Sequence, residues 1–154
     1  VRLPIRARDV PGRLATGGYI LHSGLEKLHA DEARVQALHG MASRAFPALK
    51  DIPPARFVRL LAMGEIAVGS ALLAPVVPGL LAGAALTGFS ASLLAMYART
   101  PQLRKPGSIW PSQAGTAISK DVWMLGIGLG LIAGAVADRV PRGGGRGQEE
   151  WKAA

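Results

Sequence analysis

Four apolar runs separated by polar and Pro/Gly-rich segments set the architecture of this chain. The first, Leu14 to Leu25, is short and polar-flecked, and it reaches across a bilayer only with Val10 to Arg13 and Glu26 to Leu28 at its ends. The second runs from Phe57 to Ala74 with Glu65 inside it, the third from Val76 to Ala98 without a charge, and the fourth from Val122 to Ala137. A soluble four-helix protein is the competing reading, to which Arg59, Glu65 and the short first run lend some weight. A helix facing water needs a polar face, however, and the third and fourth runs have none. The pattern predicts an all-α integral membrane four-helix bundle, with spans near residues 12–28, 56–74, 77–98 and 121–139 in one domain over residues 1–140.

The connections differ in character. Ala74-Pro75-Val76-Val77-Pro78-Gly79 is a tight uncharged turn, which predicts an antiparallel hairpin of the second and third spans. Between the first and second spans, Asp31 is placed to N-cap a helix whose Val35, Leu38, Ala42 and Ala45 share one face opposite Arg34 and Arg44. Either a short interfacial helix ending at Phe46-Pro47 or a solvated loop fits that stretch. The third connection, Arg99 to Lys120, is rich in Pro, Gly and Ser and is expected to lack regular structure, with Trp110 anchoring at headgroup level. Residues 141–154 form a basic, Gly-rich tail that composition makes disordered unless a partner orders it.

Composition narrows the chemistry. The chain has no cysteine, so it carries no disulfide exchange, thiolate catalysis or Cys-ligated metal of its own. The net charge of +8 comes from Lys and Arg that lie, Arg59 apart, outside or at the edges of the apolar runs, so it reads as membrane-flank charge and not as nucleic-acid binding. The basic start, Val1 to Arg13, followed by a first run without a small-residue cleavage pattern, reads as a retained helix and not a cleavable signal. Basic charge is nearly even between the two sides, and Arg2, Arg6, Arg8 and Arg13 before the first span break the tie. Both termini are therefore expected inside.

Glu65 is the most informative polar residue, because an ionised carboxylate at mid-bilayer costs at least about 3 kcal/mol unless it is paired, wetted or protonated. At about 1.5 Å per residue, Tyr19 and His22 bracket its depth, and Glu26 and Arg59 lie near the outer surface, where they could pair. Arg59 is six residues from Glu65 and hence on another face, so the partner of Glu65 must come from another helix. Tyr97, Lys120 and Asp121 fall at the same end, with Ser119 or Asp121 able to cap the fourth span. Tyr19, Glu26, Arg59, Tyr97 and Asp121 thus make a candidate ligand or ion-pair cluster, with Glu65 and His22 as the candidates for proton chemistry. Each has a bland alternative. Glu26, Lys27, Lys120 and Asp121 read equally as span-end charges, Arg59 as snorkelling, His22 as a packing residue, and Glu65 as a structural hydrogen-bonding group.

Small residues every fourth position explain how the helices could approach. Gly83 leads one such stripe with Gly79, Thr87, Ala91 and Ala95, and Gly126, Gly130 and Gly134 form another. No metal-ligand set or phosphate loop accompanies them.

Together these residues resemble the DoxX family of small four-span bacterial membrane proteins. The likeness lies in Arg13-Leu14-Ala15 opening the first span, Gly24 to Leu28 (GLEKL) closing it, Gly64-Glu65-x-x-x-Gly69 in a Pro-led second span, and Lys120-Asp121 announcing the last. The resemblance covers about residues 10 to 140. The third loop and the basic tail depart from the simplest members. The family includes or adjoins the membrane subunit of archaeal thiosulfate:quinone oxidoreductase, and other members look like anchors for soluble redox enzymes. It implies a multi-pass protein of the bacterial plasma membrane, in contact with lipid and with other membrane or peripheral redox subunits, homo-oligomers being possible. One expectation is a subunit or scaffold of a redox or respiratory complex without its own catalysis and with no cofactor carried by the chain. The other is a quinone-linked component in which Glu65, with His22 or Tyr19, handles quinol protons while Arg59 attracts an anion such as thiosulfate.

Overall fold

The computed structural model describes residues 5–139, and every regular element among them is helical. Helix α1 (Val10–Leu28) opens with Pro11 in its first turn, where the missing N–H is one the helix would not use. Helix α2 (Glu32–Ala45) starts at Asp31, whose carboxylate accepts a hydrogen bond from the Arg34 N–H at 2.8 Å. The N-capped helix expected between the first two long runs is therefore present. Pro54 starts α3 (Pro54–Leu73), a turn through Pro75 and Pro78 leads to α4 (Gly79–Arg99), and the short α5 (Thr116–Ser119) runs into α6 (Asp121–Ala137). No side chain caps α6; the Ser119 hydroxyl donates instead to Thr116 O at 2.9 Å.

Two stretches, Gly79–Arg99 and Thr116–Ala137, are long and apolar enough to cross a membrane. They are also poorly buried, only 28% of the apolar window in the first and 17% in the second. A core helix of a water-soluble protein would hide such a surface, because exposing it to water forgoes about 25 cal/mol for every Å². Leu81, Leu129 and Val136 point outward here, as do Leu14 on α1 and Leu60 and Met63 on α3. The interior is small by comparison, built on Ile20, Leu72, Ala82, Leu86 and Leu131.

The helices associate as two antiparallel pairs, α1 on α3 and α4 on α6. Contact between α3 and α4 is slighter, so the hairpin expected from their tight turn is a chain connection more than a packing unit. Glycines decide the pairing. A Cβ added at Gly69 would stand 2.7 Å from Leu21 N and 2.9 Å from Gly17 O, so α1 and α3 touch backbone to backbone at a place where only glycine fits. Gly83 does the same for the second pair, with Gly128 O 2.8 Å from a Cβ built on it. On α6 this corrects the expected stripe. Gly126 and Gly130 meet nothing, Gly134 faces the Arg8 guanidinium, and Gly128 is the residue that admits α4. Four-residue spacing marks a face of a helix, but not which face its partner takes.

Both described chain ends and the α3–α4 turn gather at one end of the bundle, here called the turn end. The Arg13 side chain is buried there and donates to Leu72 O at 2.7 Å and to Ala71 O, Ala74 O and Val77 O at 3.0 Å each. These are carbonyls at the close of α3 and in the turn, of which Ala74 O alone also accepts a backbone N–H, from Val77, and a guanidinium fork suits them in both charge and geometry. Nearby, Arg6 pairs with Asp138, and Arg8 donates to Asp138 at 2.7 Å and to Gly134 O at 3.1 Å, binding the amino-terminal segment to the close of α6. The arginines expected to act as flank charges are thus structural ones as well.

At the opposite, loop end, α2 packs on α3, and the third connection is ordered, contrary to expectation. Lys105 N–H donates to Trp110 O and Ser112 N–H to Leu103 O, each at 2.9 Å, across an isolated Arg104–Pro111 bridge; Gly107, at φ +66°, makes the turn. Left-handed backbone of that kind favours glycine, which is why a Gly-containing stretch can fold back here. Tyr97 holds the loop by donating to Ile109 O at 2.8 Å, and Trp110 is exposed beside Trp123. The tail 141–154 lies outside the described residues.

Candidate functional site: a charged cavity between the helix pairs

The two pairs pack closely near the turn end and part toward the loop end around a cavity of about 450 Å³. Its wall on α1 is Tyr19, Ser23 and Lys27, and on α3 it is Phe57, Leu61 and Glu65; each set repeats every fourth residue and so shares one helix face. Phe89 and Met96 of α4 and Asp121 and Met124 of α6 complete the far side. Leu38 and Met41 of α2 and Ile118 of α5 close over it.

Glu65 lies in this cavity with its side chain only 6% exposed, opposite Gly24 of α1, where a Cβ would come within 3.0 Å of the Glu65 Cβ. Its partner is Lys27. The ammonium stands 2.9 Å from Glu65 Oε2 and donates to Ser23 Oγ at 2.7 Å. Helical side chains lean toward the amino terminus, so Lys27 runs back along α1 from the helix end to the level of Ser23 and Gly24. The contact is a short ion pair between two largely buried side chains. Asp121 is buried on the opposite wall, within electrostatic range of Glu65. Among the described residues the cavity wall therefore carries two carboxylates and one ammonium, with Ser23 and Ser92, in a largely apolar lining.

Of the residues singled out in the sequence, Glu65, Asp121 and Tyr19 come together, Tyr19 at an exposed rim position. The others do not join them. His22 turns outward, its side chain 74% exposed, and lies 3.7 Å from Glu26, so it is no partner for Glu65. Glu65 lies level with Gly24, just beyond the Tyr19–His22 bracket expected for it, and His22 sits one residue away from the Tyr19-Ser23-Lys27 face. Glu26 meets Arg34 of α2, also at 3.7 Å, and not Arg59, which is exposed on the far side of α3. Tyr97 serves the loop.

Lys27 and Arg13 are the polar residues whose importance the sequence concealed. For Lys27 a signal existed, since it is four residues from Ser23 and eight from Tyr19. For Arg13 there was none beyond its place at the head of a span. Among the described residues no three His, Asp or Glu side chains converge as a metal site. Comparison with protein-family models, with curated proteins and with solved structures finds no match.

Proposed function

We propose that the chain is a four-span integral membrane protein of the DoxX type, acting as a subunit or scaffold of a redox or respiratory complex in the bacterial plasma membrane, with both termini cytoplasmic. One observation carries the membrane part: the long helices turn leucine, valine and methionine side chains outward around a small apolar core, while Arg13, Lys27, Glu65 and Asp121 are turned inward. In that medium α1 and α3 cross beside the two more apolar helices, their charges being turned inward or carried near the ends. The family part is supported by convergence. Each motif behind the resemblance contributes to a buried contact, Arg13 to the turn end, Gly24 and Lys27 to the Glu65 site, Gly69 to the α1–α3 crossing and Asp121 to the cavity. Gly126 and Gly130, open on the outer face of α6, offer a flat surface for a neighbouring subunit or a second copy.

The chain has no cysteine, which makes the topology directly testable. Ser108→Cys in the third connection should react with a membrane-impermeant maleimide on intact cells, and Val76→Cys in the α3–α4 turn only after permeabilisation. The opposite pattern overturns the orientation, and protein found in the soluble fraction overturns the membrane reading. Purification in mild detergent should bring down redox subunits with stoichiometry that survives washing; a chain that purifies alone counts against the complex.

A second reading is favoured by the cavity, which has the volume of a small-ligand site and two buried carboxylates, Glu65 and Asp121, in its wall. Here the protein is a quinone-linked oxidoreductase component, with Glu65 exchanging the quinol proton. Glu65→Gln should then abolish quinone-linked activity while folding and partners persist. Loss of abundance or partners alone would return the site to a structural role.

A further inference from the structure

The charges around the cavity do not balance. Among the described residues Lys27 is the one cation in its wall, Glu65 and Asp121 are the two carboxylates, and all three are drawn from water by burial. An ammonium against two ionised carboxylates leaves one negative charge without compensation in an apolar chamber, which is a costly arrangement. Lys27 answers Glu65 at 2.9 Å, whereas among the described residues no cation pairs with Asp121. The rest of the wall is of the kind that attracts a soft organic cation: the rings of Tyr19, Phe57 and Phe89, and the thioethers of three methionines, Phe46 being already covered by the Arg99 guanidinium 4.8 Å from its ring centre.

We propose that this cavity binds a monocationic amphiphile, an ammonium head carrying an apolar tail, whose charge completes the Lys27–Glu65–Asp121 set. The head takes the negative surplus and the aromatic faces, and the tail takes the aliphatic wall formed by Leu38, Leu61 and Leu93. The inference goes beyond a role as a complex subunit and requires no redox step. It also separates ligand classes, since a neutral quinone leaves the charge uncompensated.

The test is equilibrium binding to the purified full chain in nanodiscs of zwitterionic lipid, with empty discs as the blank. Three probes share one tail: decyltrimethylammonium, decanol and decyl sulfate. Saturable one-site binding is expected for the ammonium, weaker by about tenfold or more for the alcohol and absent for the sulfate. Asp121→Asn removes the surplus charge and should weaken the ammonium by about tenfold while leaving the alcohol unchanged. Lys27→Gln enlarges the surplus and should tighten the ammonium, an effect of opposite sign that stands even where Asp121→Asn fails to fold. Equal affinity for the three head groups, no saturable binding above the blank, tighter binding of decylubiquinone than of the ammonium, or Lys27→Gln weakening the ammonium would each overturn the proposal. A protein that spans the membrane as expected but binds no ammonium refutes this inference alone.

Discussion

The α1–α3 pair buries a charged side chain from α1 at each end, and the two are treated in opposite ways. At the turn end the Arg13 guanidinium has four backbone carbonyls within 3.0 Å, of which Ala74 O alone also accepts a backbone N–H, from Val77. At the loop end Lys27 reaches Glu65 at ion-pair distance, yet a second carboxylate, Asp121, stands across from it and a cavity adjoins both. Satisfied buried charge of the first kind holds a fold together. Unbalanced buried charge beside empty volume is maintained at a cost to stability, and such groups are where ligands and protons are exchanged.

That contrast can be broken at several points. The largest effect is expected at Arg13: Arg13→Ala orphans the carbonyls of Ala71, Leu72 and Val77, and should lower unfolding stability in detergent by about 3 kcal/mol or more. Arg13→Lys should recover only part of this, because an ammonium lacks the planar fork. A thermal midpoint unchanged by Arg13→Ala would mean that the turn end is not the structural one.

Backbone contact in the middle of the pair comes next. Gly69→Ala forces a methyl group against Leu21 N and Gly17 O and should destabilise by about 1–3 kcal/mol, whereas Gly126→Ala, which meets open space, should be neutral or slightly favourable through helix propensity. Equal melting of the two variants would refute the assignment of packing faces.

At the loop end the stability changes should be smaller and the functional ones larger. Glu65→Gln, similar in shape and neutral, should alter stability by less than about 1.5 kcal/mol, since replacing one member also removes a poorly solvated charge. Lys27→Gln should be more damaging than Glu65→Gln, because it leaves two carboxylates facing each other. Reversal of that order in a denaturation series would show that Lys27, and not the carboxylates, is the group in excess. The smallest effect belongs to His22→Ala: with its ring exposed and only a 3.7 Å approach to Glu26, it should change stability by less than about 0.5 kcal/mol and leave any ligand binding untouched.

How much of this was legible along the chain follows from the range of each signal. Asp31 could be named as a cap because a cap acts over three residues, and α2 begins where that predicts. Glu65 could be singled out because a carboxylate inside an apolar run is anomalous whatever surrounds it. Its partner could not be found by depth alone. Depth selected His22 and Tyr19, while the contact is made by Lys27, whose stem runs back one turn along α1. The Pro/Gly-rich third connection looked irregular because hairpin hydrogen bonds between residues 103 and 112 depend on one left-handed glycine, and composition does not say which of its two glycines, Gly107 or Gly115, takes that conformation.

The sequence by itself determined that the chain is helical, where its long helices lie, and that a buried carboxylate would need an answer, because hydrophobic periodicity, prolines and local capping act within a turn or two of helix. Only the tertiary structure decided which helices pair, that Gly128 and not Gly126 or Gly130 admits a neighbour, that Arg13 closes the end of α3, and that Glu65 shares a cavity with Lys27 and Asp121. Those outcomes turn on the rotation of each helix about its own axis. A difference of 100° from one residue to the next turns an ion-pair partner such as Lys27 into a surface neighbour such as Glu26, and only packing against another helix selects between them.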